Sequence, residues 1–104
     1  MAKRGLRNAI RRDLMKQLER NGTTTKYYTD LVEDYMTAWD VKNKLAEDIA
    51  ARGAVVDYTS NPGQTNKKKN ESVGEFLKTN AQMLKLLDSI GIKPAQVDED
   101  ADEM

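Results

Sequence analysis

Residues 24–52 read TTKYYTDLVEDYMTAWDVKNKLAEDIAAR. This is the longest run in the chain without a breaker, and it carries the only Trp and three of the four Tyr. Wound as a helix, it places Tyr28, Leu31, Val32, Tyr35, Met36, Ala38, Trp39, Leu45, Ala46 and Ile49 on one side, and Glu33, Thr37, Asp40, Lys44, Glu47 and Asp48 on the other. The apolar stripe is wider than the roughly 100° that one packing partner needs. At about 1.5 Å rise per residue the helix is roughly 40 Å long. Thr23-Thr24-Thr25 offers an N-cap and Gly53 a stop. Lys42 lies near the middle of the apolar face, where a long stem can snorkel to water.

Upstream, Leu6, Ile10, Leu14 and Leu18 repeat every four residues after a loose basic segment, Met1 to Gly5. The spacing predicts a helix of about 14 residues, ended by Asn21-Gly22. Arg4, Arg7, Arg11, Arg12 and Lys16 line its outer surface. Such a strip suits phosphate contact, where each neutralised phosphate releases counterions. It serves equally as a solubilising face.

Downstream, Ala54-Val55-Val56-Asp57-Tyr58 has strand character without an obvious second strand, and Asn61-Pro62-Gly63 reads as a turn with Pro and Gly in the central positions. Gln64 to Lys69 is polar and ends in three lysines. Residues 53–69 are therefore expected to be a mobile connection, ordered by a partner. A third helix starts at Asn70 or Ser72, and Ser72-Val73-Gly74-Glu75 fits a capping box. Val73, Phe76, Leu77, Met83, Leu84, Leu87 and Ile90 form its apolar face, Asn80 interrupts that face, and Gly91 with Pro94 ends the helix. From Val97 the chain is acidic and aperiodic, so disorder is expected over residues 95–104.

These readings give one helical domain over residues 1–94. The expected fold is all-α: a short basic N-terminal helix (within 1–22), then a long antiparallel helical hairpin (24–52 and 70–91) that oligomerises. The 104 residues are 38% hydrophobic and 33% charged, so no deep core is available. A hairpin with one short extra helix leaves the Tyr35–Met36–Trp39 side open, and exposed apolar surface of that kind marks an interface. Tyr28, Tyr35, Met36, Trp39 and Asn80 are the expected subunit contacts, in a closed homo-oligomer.

The chain has neither Cys nor His, which removes thiolate metal sites and the commonest general base. No phosphate-cradling Gly motif and no calcium loop is present, so no catalytic residue, metal site or cofactor is expected and the chain reads as a non-enzyme. No apolar run approaches a membrane span and no signal peptide opens the sequence, which points to a cytoplasmic protein. The zero net charge conceals a gradient. Residues 1–22 hold seven Lys/Arg against two Asp/Glu, and residues 92–104 hold one against five. A basic head and an acidic tail suit two different partners.

Arg12-Asp13-Leu14, Leu18 through Thr24, Tyr27-Tyr28, Asp34-Tyr35-Met36 and Trp39 through Asn43 resemble the small terminase subunit of tailed double-stranded DNA phages. So do Asn70-Glu71-Ser72-Val73, Lys78 through Asp88, and Gly91-Ile92-Lys93-Pro94. The resemblance spans nearly the whole chain and consists of packing and capping patterns.

It implies a non-catalytic packaging factor that forms a ring, engages double-stranded viral DNA, and recruits or regulates the large terminase subunit, which holds the ATPase and nuclease. It also implies work in the bacterial host cell during phage assembly. Many relatives carry a helix-turn-helix domain ahead of the hairpin, and 22 residues are too few for one. DNA contact then falls to Lys3, Arg4, Arg7, Arg11 and Arg12 of the arm and to Lys67, Lys68 and Lys69, which favour backbone contact over base readout. Asp98, Glu99, Asp100, Asp102 and Glu103 are the expected contacts to the large subunit. The competing readings are a helical oligomeric adaptor that binds only proteins and a small transcriptional regulator.

Overall fold

A Gly with positive φ closes each helix of this chain, and the same device turns the corner between its two strands. The computed structural model describes residues 2–92. The expected disordered tail, with Asp98, Glu99, Asp100, Asp102 and Glu103, lies outside the described residues. The elements in chain order are α1 (Ala2–Asn21), α2 (Lys26–Arg52), β1 (Val55–Asn61), β2 (Gln64–Lys69) and α3 (Glu71–Ile90).

The all-α expectation is therefore corrected. Residues 55–69 form a two-stranded antiparallel sheet, and a long helical hairpin is not the architecture that joins α2 to α3. The sheet forms because Pro62-Gly63 supplies a tight turn. Pro pre-sets φ at the first central position, and Gly63 takes φ +81° at the second. β1 and β2 then pair from Asn61↔Gln64 out to Val55↔Lys69, with a register shift between Thr59 and Asn61 that marks a bulge. The polar strand escapes a search for apolar alternation because every residue of β2 is exposed.

The helix boundaries follow their caps. Thr25 opens α2: its carbonyl accepts the N–H groups of Tyr28 and Thr29. At Gly22 (φ +72°) the Thr23 N–H reaches the Leu18 carbonyl and the Gly22 N–H reaches Glu19. At Gly91 (φ +95°) the Ile92 N–H reaches Leu87 and the Gly91 N–H reaches Asp88. Both ends are Schellman caps, which satisfy carbonyls the helix would otherwise leave open. The basic segment before Gly5 is helical from Ala2, so α1 runs 20 residues rather than about 14.

The chain divides into two compact units, Met1–Thr37 with Met83–Met104, and Ala38–Gln82. The first holds an apolar core of Leu14, Leu18, Val32, Met36, Met83 and Ile90, all buried. Along α1 burial runs from Leu6, which is exposed, through half-buried Ile10 to Leu14 and Leu18. In the second unit the buried residues are Trp39 and Asn70.

Asn70 is the polar centre of that second unit and the N-cap of α3. Its Oδ1 accepts the Ser72 N–H at 2.9 Å and an Arg52 Nη2–H at 3.1 Å, and its Nδ2 donates to the Gly53 carbonyl at 2.9 Å and to Asp48 Oδ2 at 3.2 Å. Its N–H donates to the Ala54 carbonyl at 2.8 Å. The capping residue is thus Asn70 rather than Ser72, whose hydroxyl donates to Asp48 Oδ2 at 2.6 Å. Every polar atom of the buried amide is used, which is the condition for burying one cheaply.

Candidate nucleic-acid interface

Two groups of cations are expected to meet phosphate, and the structure treats them differently. On α1, Lys3, Arg4 and Arg12 are exposed, and Arg7 and Arg11 are half-buried. Arg11 is committed inside its own unit. Its Nε lies 3.1 Å from both carboxylate oxygens of Glu33, and its Nη2 lies 2.6 Å from Oε2. This fork-on-carboxylate geometry is the stronger form of the ion pair. The guanidinium holds the Glu33 carboxyl below the usual carboxylate range, with Arg7 adding a smaller contribution, and Glu33 holds Arg11 charged. Beside this pair runs an open groove of about 690 Å³, lined in part by Met15, Lys26, Tyr27 and Asp30. Tyr27 also meets Tyr28 edge-on, at 5.3 Å between ring centres.

The second group sits on β2. Side chains alternate faces along a strand, so Lys67 and Lys69 share one face with Val55 and Asp57, and Lys68 shares the other with Val56 and Tyr58. Lys67 Nζ is 2.6 Å from Asp57 Oδ1, both side chains being largely exposed. Lys68 Nζ is 3.7 Å from Glu71 Oε1 and 5.5 Å from the centre of the Tyr58 ring. Lys69 has no ion-pair partner among the described residues and is exposed.

Sequence reasoning missed the partners Glu33, Asp57, Tyr58 and Glu71. Asp57 was within reach of it. Folding the chain back about Pro62-Gly63 sets Asp57 against the lysine run, and the bulge before Asn61 decides that the residue opposite is Lys67 rather than Lys68.

The expected subunit contacts differ in burial. Tyr28, Tyr35 and Asn80 are half-buried, and burial raises the Tyr35 hydroxyl pKa. Met36 (0% exposed) and Trp39 (7%) are already covered by the chain itself. The large apolar side chains left in solvent among the described residues are elsewhere, at Leu77 (58%) and Leu84 (59%) on α3, at Tyr27 and Val41 on α2, at Leu6 on α1, and at Val55 and Tyr58 on β1. Asp48, assigned by periodicity to a solvated face, anchors the second unit instead. Arg52 holds it at 2.7 Å and 2.8 Å, Ser72 and Asn70 add hydrogen bonds, and together they keep its carboxyl well below the ordinary range.

Among the described residues no helix is long and apolar enough to cross a membrane, and no group of three or more Asp or Glu converges as metal ligands do. A family model described as phage terminase, small subunit, matches residues 8–99. No curated protein and no solved structure matches the chain.

Proposed function

The chain belongs to the phage terminase small subunit family, whose role is viral DNA packaging, and from that premise we propose that it is the non-catalytic, DNA-binding adaptor of a packaging motor. In this reading several copies assemble, most simply as a ring, and engage double-stranded viral DNA. The assembly recruits or regulates the large terminase subunit. The observation that carries the reading is the family match across residues 8–99. The charge gradient supports the division of labour. Lys3, Arg4, Arg7 and Arg12 with the β2 lysines face phosphate, and Asp98, Glu99, Asp100, Asp102 and Glu103 face the motor, since DNA repels them.

The test is a titration of the purified chain with duplex DNA at two salt concentrations, alongside the mass of the intact assembly. A multi-copy assembly whose DNA affinity falls steeply with salt is expected. A folded monomer with no DNA affinity at low salt would sink the reading. An assembly that binds the large subunit but not DNA would favour a protein-only adaptor.

A further inference from the structure

The β1–β2 hairpin is the one element whose described side chains include none that is fully buried. Val55 is 57% exposed and Tyr58 40%, and all of β2 faces water. A two-stranded hairpin without a core on either face is marginal by itself. This one is held from its base, where β2 runs directly into the buried Asn70 and the Asp48–Arg52–Ser72 cluster. The result is a ribbon on a fixed footing, with cations on both of its faces.

We propose that this hairpin is a two-stranded ribbon that lies against the phosphates of duplex DNA through Lys67, Lys68 and Lys69, while Asp57 competes for Lys67 and Glu71 for Lys68 when no DNA is bound. The inference rests on the DNA-binding reading above and says how the hairpin makes its share of the contact. Three features support it. A two-stranded ribbon is one of the two protein shapes that the major groove admits. Lys67 and Lys69 stand on one face about 7 Å apart, and Lys68 on the other, so both walls of a groove are within reach of a cation. The ion pairs now holding Lys67 and Lys68 are of the exposed kind, which contribute little and exchange readily for another anion. By contrast Arg11 of α1 is held bidentately by Glu33.

The experiment uses the full chain. The variant K67Q/K68Q/K69Q and, separately, Asp57→Asn are titrated with a duplex of unrelated sequence between 50 and 200 mM salt, with far-UV circular dichroism and native mass recorded for each. Three phosphate contacts account for roughly a 40-fold loss of affinity across that salt range. The triple variant should lose most of that salt-dependent part while keeping its helices and its assembly mass. Asp57→Asn should bind up to about fivefold more tightly at low salt, because Lys67 is released.

A triple variant with wild-type affinity and slope overturns the proposal and leaves DNA binding to α1. A triple variant that loses its assembly mass along with DNA also overturns it, and makes the hairpin a subunit contact. Unchanged binding by Asp57→Asn removes the competition. Absence of DNA binding by the unaltered chain fails the functional reading itself, and is distinguishable from all of these.

Discussion

Asn70 is buried completely, and Asp48 lies within its hydrogen-bond reach. Replacing Asn70 with Ala removes the cap of α3 and leaves the Gly53 carbonyl without its side-chain donor. A lost cap and the loss of a donor to a half-buried acceptor together cost about 1–3 kcal/mol, to be read from the denaturant midpoint at unchanged m-value. Asp48 makes a prediction with a sign. Its folded carboxyl titrates below the ordinary range, as does that of Glu33. The stability each contributes is present above an unfolded carboxylate pKa of about 4 and is lost as pH falls below it toward the folded value. Thermal melts of Asp48→Asn should therefore lie below wild type at pH 7, and the gap should close as pH falls from about 4 toward 2. A gap that widens in acid would contradict the assignment.

Two glycines, Gly74 within α3 and Gly91 just past its end, should respond oppositely to the same substitution, because they differ in backbone rather than in space. Gly91 sits at φ +95°, where a side chain is strained, and Gly91→Ala should destabilise by about 1 kcal/mol. Gly74 is an ordinary helical residue with open space around its missing Cβ, and Gly74→Ala should stabilise by about 0.5–1 kcal/mol. Chemical denaturation of the pair checks both signs.

The helices were legible for related reasons. Gly22, Gly53 and Gly91 are stop signals that depend on a local φ, so they survive any tertiary context, and α2 and α3 end where they should. What failed was whatever depends on a distant partner. Gln64 to Lys69 carries no apolar alternation because neither face of β2 is buried, and only the Pro62-Gly63 turn betrayed it. The polar ring around Asn70 was equally hidden, since Asp48 and Ser72 are 24 residues apart in sequence. The pairing implies that amide exchange should alternate along β1 and β2, inward-bonded amides exchanging more slowly than outward ones. Uniformly fast exchange over residues 55–69 would contradict the sheet.

Across the whole molecule, the distribution of burial decides how a loss of assembly should be interpreted. Met36→Ala removes a fully buried side chain and should cost about 2–5 kcal/mol of folding stability in any state of association. Leu77 and Leu84 are exposed on α3 at a spacing of seven, which keeps both near one helix face. In the oligomer proposed above, the double change to Ser should lower the assembly mass while leaving unfolding of the subunit nearly unchanged, as measured by native mass spectrometry and melting. If Leu77 and Leu84 are inert and only Met36 matters, the wide stripe of α2 acts through folding alone. The hairpin carries a different consequence. Because none of its described side chains is fully buried and all of β2 faces water, mutation can change the length of its tip or reverse the charge of β2 at little cost to the helices. Related viruses could then drift apart in this ribbon while their helices stay recognisable. For an engineer, the turn at Pro62-Gly63 is the place to graft a foreign peptide.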